Sequence, residues 1–299
     1  MKKTTIALLT AAAMGTSGAV MAADHGPHFA GDLRVVYSTN AGDTREDALS
    51  TNRLKLQVFG SQDAMAGTEA FYFFRLSADE DGVQEAVESD YALIGLRGDF
   101  GEVQVGRDDD LVYKFAGART DLFRAHLPGG GAAGNATYAT GPAGVLYENN
   151  GGESIQYSVN VDAVTVAGFV DTAESDNIDT AQLAVGFDFG MGNVAAVYSD
   201  RDTGAQSEFF GAATLSLDVV EISASMGRNE ADNNPASLAV SGPLTGNVSY
   251  QLGYADDDAG ISDAIGQVII DLGGGFETFG SYRTGDSDDG FVLGAQYNF

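Results

Sequence analysis

Basic side chains in the first half of the chain, and a block of acids after them, are the residues best suited to act on a solute. Six bases lie within or beside short alternating segments: Arg34, Arg53, Lys55, Arg75, Arg97 and Arg107. Four acids follow closely: Asp108, Asp109, Asp110 and Asp121. Opposite charges that face each other across a water-filled space create a field that orients dipolar solutes and sorts ions. These residues therefore indicate electrostatic selection of solutes.

No arrangement of residues indicates bond-making chemistry. The chain has no cysteine and three histidines, and no serine has the context of a nucleophile that a histidine activates. We therefore predict no catalytic residue, no enzymatic activity and no resident cofactor. The formal net charge of −28 at pH 7 also argues against nucleic acid as a partner, because its phosphates would be repelled.

Two acidic clusters near the C-terminus could bind Ca²⁺ through carboxylate and carbonyl oxygens. They contain Asp256, Asp257, Asp258, Asp286, Asp288 and Asp289. Neither cluster has the twelve-residue spacing of a calcium-binding loop, so solvated acidic loops are the favoured interpretation. An exported β-protein that binds Ca²⁺ or carbohydrate remains an alternative.

The bases belong to a long series of short segments with period-two alternation. Sixteen such segments can be marked between residues 27 and 299, and their lengths suit tilted membrane-spanning strands of about 9–11 residues. In Thr51–Gly60, Arg53 and Lys55 alternate with Leu54 and Leu56. A charge that faced lipid near the bilayer midplane would cost about 2–4 kcal/mol, so such bases should face the inside of a barrel. A soluble β-sandwich with one wet face would alternate in the same way.

The connections between the segments discriminate between these two architectures. Short, glycine-rich connections such as Gly98–Gly101 and Gly273–Gly275 alternate with polar, acidic ones such as Ala78–Glu88 and Gly285–Gly290. Successive connections of an up-and-down barrel lie at opposite ends, whereas a Greek-key sandwich mixes its loop ends. The sequence therefore predicts an all-β, antiparallel up-and-down barrel of 16 strands. Its longest connection, residues 108–152, has a length that usually accompanies a function.

Met1–Ala22 has the features of a secretory signal peptide. Lys2 and Lys3 precede an apolar stretch of small residues, and small residues at 20–22 form a cleavage site. We expect residues 1–22 to be removed on export and residues 23–299 to form a single barrel domain.

Three local motifs, together with the layout of the whole chain, resemble the Gram-negative general porins. The motifs are GDFG at 98–101, VGR at 105–107 and FVLGAQYNF at 291–299. The resemblance implies a transmembrane barrel whose long third loop, residues 108–152, folds into the pore and constricts it. It also implies that the six bases form a wall of that constriction, opposite the four acids of the third loop.

The same resemblance sets expectations for location and partners. It implies a homotrimer in the outer-membrane lipid of a Gram-negative bacterium, with a C-terminal strand that the outer-membrane assembly machinery recognises. The expected function is passive diffusion of ions and small polar solutes through a water-filled channel. The acidic outer loops favour modest cation selectivity, which the basic wall opposes. A substrate-selective channel remains an alternative, although no binding ladder can be identified in the sequence.

Overall fold

Sixteen strands account for most of the part of the chain that the structure describes. The computed structural model describes residues 26–40, 48–65, 67–78, 88–123, 153–171, 180–201, 207–228, 232–256, 258, 260, 262–286 and 289–299. Strands β1 to β8 are His28–Asn40, Ala48–Met65, Thr68–Ala78, Glu88–Gly98, Gly101–Arg107, Glu153–Val161, Val164–Asp171 and Thr180–Asp188. Strands β9 to β16 are Gly192–Arg201, Glu208–Leu217, Val220–Arg228, Ala236–Thr245, Val248–Asp256, Ser262–Gly273, Phe276–Gly285 and Gly290–Asn298. The predicted signal segment, residues 1–22, lies outside the described residues.

The strands form one closed antiparallel barrel. Each strand is hydrogen-bonded to its neighbours in sequence, and β1 pairs with β16 to close the ring. The 16-stranded up-and-down barrel predicted from the sequence is therefore confirmed. Two strands run further than expected: β2 continues to Met65 and β12 to Thr245, into connections that were predicted to be loops. In β12 the pairing shifts between Pro243 and Thr245, as it does beside the short turns that follow β2 and β14.

Alternation along each strand separates an apolar outer face from an inner face that holds the charges. Leu33 and Val35 are 40% and 37% exposed on the outside, whereas Arg34 between them is 2% exposed. On β4, Ile94 is 67% exposed while its neighbour Leu93 is 8% exposed. Successive side chains of a strand point to opposite faces, so the period of two in the sequence corresponds to these two faces.

Three aromatic rings on the inner face lie flat across glycines of the adjacent strand. The directly opposed pairs are Phe71 with Gly95, Phe210 with Gly227, and Phe279 with Gly294. A Cβ at any of the three glycines would collide with the ring. The absence of a side chain therefore lets each ring rest on the barrel wall.

The start of the long connection after β5 lies inside the barrel. It contains a short helix, α1 (Leu111–Phe115), and one 3-10 turn, Gly117–Arg119. Leu111, Val112 and Ala116 pack against inward-facing side chains of β7 to β10, including Phe169 and Phe210. We call residues 108–123 the docked segment; residues 124–152 lie outside the described residues. Among the described residues, no helix is long and apolar enough to cross a membrane.

The last residue of the chain takes part in closing the barrel. Gly31 N donates to Phe299 O at 2.9 Å, and Phe299 N donates to Gly31 O at 3.0 Å. The Phe299 ring lies over Gly31 on the outer face, where a Cβ would stand 2.5 Å from ring atom Cζ. Gly31 is thus required by the close approach of both the terminal ring and the backbone oxygen of Lys55, which a Cβ would meet at 2.4 Å.

We expect Gly31→Ala to destabilise the folded barrel by about 1–3 kcal/mol, because the added methyl group must displace the ring or the backbone of β2. The measurement is the fraction of protein that keeps the compact, heat-modifiable mobility of a folded barrel in gel electrophoresis. Gly246→Ala is the matched control, since a Cβ there meets nothing within 4 Å. A Gly31→Ala protein as resistant to heat as the control would contradict this role.

Candidate functional site

Asp110 anchors the docked segment to β8. Its Oδ1 accepts from Tyr113 N at 2.8 Å and so caps α1, and its Oδ2 accepts from Gln182 Nε2 at 2.9 Å. The same glutamine side chain accepts at Oε1 from Leu111 N at 2.7 Å. One amide on the inner wall therefore satisfies both the cap residue and the first N–H of the helix, which would otherwise lack partners.

Asp108 forms a buried ion pair with Lys114. The ammonium nitrogen lies 2.5 Å from Asp108 Oδ2, and the two side chains are 2% and 9% exposed. Gln104 Nε2 also donates to this carboxylate, and Lys114 Nζ donates to Gln156 Oε1 at 2.6 Å. A buried pair is stable only when additional hydrogen bonds satisfy its remaining donors and acceptors, and here the two glutamines of β5 and β6 supply them.

Asp109 joins the docked segment to β4. Its Oδ2 accepts from the Tyr91 hydroxyl, and its backbone oxygen accepts from Gln156 Nε2 at 2.9 Å. Burial raises the pKa of this carboxyl above its usual value, and the neighbouring charge of Asp108 raises it further. All three consecutive acids, Asp108, Asp109 and Asp110, are at most 5% exposed. They hold the segment against the wall, whereas the sequence predicted that they would face the open pore.

The far end of the docked segment is held by hydroxyl groups. Thr120 is fully buried, and its Oγ1 lies 2.9 Å from Ser237 Oγ and 3.4 Å from Ser225 Oγ. The two serines, on β12 and β11, are themselves 2.6 Å apart. The segment is thus fixed at both ends, by carboxylates near β4 to β8 and by this hydroxyl cluster near β11 and β12.

Asp121 is the one predicted third-loop acid that is not fully buried in the docked segment. Its Oδ2 accepts from the Tyr113 hydroxyl at 2.6 Å, and burial together with the Asp121 charge raises the pKa of Tyr113 well above its usual value. Arg119 lies nearby and donates from Nε to Phe115 O at 2.7 Å. Burial lowers the pKa of Arg119, an effect that the charge of Glu221 partly offsets.

Three predicted bases share the inner face of β1 to β3. Arg34 donates from Nε to Gln296 Oε1 at 2.8 Å, Lys55 lies in register with Asp32, and the guanidinium of Arg75 lies 3.8 Å from the centre of the Tyr91 ring. We call Arg34, Lys55 and Arg75 the basic wall. Arg53 lies in register with Arg34, but its side chain is outside the described part of the structure.

The other two predicted bases lie elsewhere. Arg97 is at the short-turn end of β4, six residues from Tyr91 and so about 20 Å along the strand, where its Nε lies 2.8 Å from Glu69 Oε2. The expectation that Arg107 faces the lumen is wrong. Arg107 lies opposite the exposed residues Ala92 and Glu153, in the outward-facing series of β5, and donates to Ser89 O at 2.8 Å.

Sequence reasoning missed the uncharged side chains that hold the docked segment. Gln104, Gln156 and Gln182 are each about 5% exposed on the inner faces of β5, β6 and β8, and Tyr91 occupies the same face of β4. Each glutamine stands between outward-facing apolar residues in the sequence. The signal that could have identified these residues is a large polar side chain at an inward-facing position of a strand near the long connection.

The acidic clusters proposed for Ca²⁺ are partly described. Asp258 Oδ2 accepts from Asn234 N and Nδ2 at 2.9 and 3.0 Å, and these bonds lower the pKa of Asp258. Asp286 Oδ2 accepts from Ser262 N at 3.0 Å. Within the described ranges, no group of three or more acids or histidines is placed to hold a metal. Asp257 and Asp288 lie outside those ranges, and the Ca²⁺ site stays a prediction.

Thr120→Val is expected to weaken docking of the segment by about 1–2 kcal/mol, because the isosteric side chain leaves a buried position without its hydrogen bonds. Amide hydrogen exchange of residues 111–123 should then accelerate by roughly 5- to 30-fold. Thr165→Val removes a hydroxyl of β7 that makes an exposed hydrogen bond to Asn160 of β6 and serves as the control. Equal exchange in the two variants would show that the hydroxyl cluster does not hold the segment.

Asp109→Asn should stabilise docking at neutral pH. Because the folded-state pKa of Asp109 is raised, its charged form disfavours the docked state above that pKa, and the effect vanishes below the unfolded-state value. Protection of residues 111–123 should therefore exceed that of the unaltered protein near neutral pH, and the two should converge toward about pH 4. Asp162→Asn, in an exposed turn, is the control. Weaker docking of Asp109→Asn at neutral pH would contradict the assigned sign.

Known proteins share both the sequence pattern and the barrel. The sequence model of the Gram-negative porin family matches residues 9–299. A triple mutant of the Rhodopseudomonas blastica porin superposes with a TM-score of 0.71 at 15% identity, covering 92% of this chain and 100% of that one. No curated protein matches the chain in sequence.

Two further solved structures have the same fold. Salmonella typhi OmpF, in a complex with daunomycin, has a TM-score of 0.72 at 15% identity and covers 91% of this chain and 97% of its own. A loop-deletion mutant of OmpT, an outer membrane protein of Vibrio cholerae, has a TM-score of 0.68 at 14% identity, with 92% and 99% covered. The match of the family model over nearly the whole chain, with a closed barrel of the corresponding architecture, means that this protein belongs to the Gram-negative porin family and is a general channel of the outer membrane.

Proposed function

We propose that this porin passes ions and small polar solutes by passive diffusion, with a modest preference for cations. The observation that carries the proposal is the division of the lumen between two unlike sides. The basic wall occupies β1 to β3, and the docked segment packs on β7 to β10. In a ring of sixteen strands, β2 and β10 are eight strands apart, so solutes are proposed to pass between the basic wall and the apolar part of the docked segment, whose first acids reach back to β4.

Lys55 and Arg75 of the basic wall are proposed to act on solutes as one side of a transverse field, whereas Arg34 is as buried as the three acids and bonds Gln296. With Asp108, Asp109 and Asp110 buried, the opposite side of this field rests on Asp121 and on the dipoles of the docked segment. A dipolar solute can align between these sides, whereas an apolar solute must displace oriented water. Arg53, Arg97 and Arg107 are not needed for this arrangement.

Cation preference is proposed to come from the mouths of the channel. Four inward-facing glutamates lie near the short turns, on β3, β5, β11 and β15: Glu69, Glu102, Glu221 and Glu277. The connections at the opposite end are acidic in sequence. A negative potential at both mouths raises the local cation concentration, so the basic wall moderates the preference rather than reversing it.

A substrate-selective channel is less well supported. The inner face of β1 to β4 carries a row of rings, His28, Phe59, Phe73 and Tyr91, with centroids 5.4 to 6.4 Å apart. The first three rings stack face to face along the row, and Arg75 covers Tyr91. The ring faces on which a solute would stack are therefore occupied.

A homotrimer is part of the proposal. Support comes from the family relationship and from a concave apolar surface beside the first strands. It is lined by Tyr72, Ile94, Leu96 and Val105 together with the N-terminal Gly26 and Pro27. If this concave surface packed against a neighbouring copy of the chain, the contact would fill a hollow that lipid chains fill poorly.

The joint substitution Arg75→Gln and Lys55→Gln should increase cation selectivity. Each positive charge about 8 Å from an ion in pure water raises a cation's energy and lowers an anion's by about 0.5 kcal/mol. Screening over a Debye length of about 8 Å reduces each effect to about 0.2 kcal/mol, so the ratio of cation to anion permeability should rise roughly two-fold per charge removed. The measurement is the reversal potential across a planar bilayer under a salt gradient.

Arg228→Gln supplies a control for the loss of one positive charge outside the lumen, because Arg228 lies opposite the outward-facing Phe209 and pairs with Asp232. It should leave the reversal potential unchanged. An anion-sign potential in the unaltered protein would refute the cation preference. A double variant that behaves like the control would refute the basic wall.

A further inference from the structure

We propose that Arg119 is a specificity-determining residue, which offers the anionic group of a passing solute a position on the docked segment. The inference rests on the proposed function, because it requires that solutes pass between this segment and the basic wall. The sequence pattern and the family comparison assign this residue no role. With Arg119, the docked segment contributes a base as well as acids to the passage.

Arg119 is the charge of the docked segment that is left to act on a solute. Each of the four acids of the segment accepts a hydrogen bond from a neighbouring side chain. Of its two bases, Lys114 forms the buried ion pair with Asp108. Arg119, the second base, forms no ion pair with a carboxylate of the described residues.

One N–H group fixes the Arg119 side chain, and the rest of its guanidinium remains available. Nε donates to Phe115 O at 2.7 Å, at the end of α1, where a carbonyl lacks a partner within the helix. The side chain is partly exposed, and within the described part of the chain its two terminal nitrogens make no hydrogen bond. Their N–H groups form a planar fork that matches the geometry of a carboxylate or a phosphate.

The course of α1 places Arg119 on the short-turn side of the docked segment. The helix begins beside Gln182 of β8, which bonds Leu111 N. Its last residue, Phe115, lies against Gly186 further along the same strand, where an added Cβ would stand 3.4 Å from ring atom Cε1. Gly186 is near the end of β8 that leads into a short turn. Because Arg119 bonds the carbonyl of Phe115, its guanidinium lies at this end of the segment.

The positive charge of Arg119 persists although the side chain is partly buried. Burial lowers the pKa of Arg119 and the charge of Glu221 raises it, but a guanidinium keeps its proton in a protein. Glu221 lies near the start of β11, and its Oε2 accepts from Ser216 Oγ at 3.4 Å. Since Glu221 and Arg119 do not form an ion pair, the guanidinium is still free to meet a solute.

A permanent positive charge on this side of the lumen changes the balance between ions. It lowers the energy of an anion beside the docked segment and raises that of a cation. Lys55 and Arg75 do the same from the basic wall in the proposed function, so an anion meets a base on both sides of the passage. Arg119 thus limits the preference for cations that the glutamates at the mouth create.

The experiment measures reversal potentials of purified, folded channels in planar bilayers under a potassium chloride gradient. The series comprises the unaltered protein, Arg119→Gln and Arg119→Lys. Arg228→Gln, which removes a positive charge outside the lumen, is the control. We expect Arg119→Gln to raise the ratio of potassium to chloride permeability roughly two-fold. Arg119→Lys, which keeps the charge, and Arg228→Gln should retain the original ratio.

Arg119→Met covers the case in which Arg119→Gln does not fold. Methionine is unbranched and flexible, so it can fill the space of the arginine stem without the charge. It should raise the permeability ratio by the same factor as Arg119→Gln.

Comparison of the glutamine and lysine variants also tests a purely structural role. Both substitutions remove the hydrogen bond from Nε to Phe115 O. A residue that only positions the docked segment would therefore change the permeability ratio alike in both variants, with equal acceleration of amide exchange in residues 111–123. A residue that acts through its charge changes the ratio in Arg119→Gln and keeps it in Arg119→Lys, whatever the exchange rates are.

The outcomes separate this inference from the function beneath it. If Arg119→Gln and Arg119→Met match an unaltered channel that conducts with a cation-sign potential, the role of Arg119 is overturned and the proposed function stands. A shift of equal size in Arg119→Gln and Arg119→Lys would overturn the charge role as well. An unaltered protein that inserts without conducting would refute the proposed function and this inference together.

Discussion

Continuous backbone hydrogen bonding around the ring is the constraint on which the rest of this structure depends. In the hydrocarbon region each unpaired N–H or C=O would cost several kcal/mol, so the sheet must have no edge. β1 and β16 pair over nine residues, and the backbone of Phe299 extends that pairing to Gly31. Because the sheet is closed, alternate residues of every strand face lipid, and the residues between them face the lumen.

The docked segment makes this symmetric wall into an asymmetric passage. Its helix has only five residues and could not persist alone, because helices of that length are unstable in water. It is held by apolar contacts with β7 to β10 and by acids whose charges are satisfied by Gln104, Gln182 and Lys114. The acids closest to β5 therefore serve to position the segment. In the proposed function, Lys55 on β2 and Arg75 on β3 are then the stronger source of charge along the passage.

The barrel could be predicted because two independent sequence signals coincide: period-two alternation and two unlike classes of connection. The site could be predicted only in part. The sequence shows that Asp108, Asp109 and Asp110 are charged, but it does not show that their side chains are buried. Their burial depends on hydrogen bonds from glutamines, some of them distant in sequence. α1 is too short to show a helical period. The outward orientation of Arg107 could have been predicted, because it alternates in step with the apolar residues Val103 and Val105. The error came from grouping Arg107 with its charged neighbours.

The glycines beneath Phe71, Phe210 and Phe279 bear on how the width of this channel can change over evolution. Each lies directly opposite its ring on the next strand, where an added methyl group would push the ring off the wall. Arg97 and Arg34 lie over the rings of Phe71 and Phe279, and the docked segment packs on Phe210. A single-nucleotide change from glycine to alanine would narrow the bore without adding or removing a charge. Because a base or the docked segment rests on each ring, such a change would also displace a charged group. Exclusion by size and discrimination by charge are therefore coupled at these three positions.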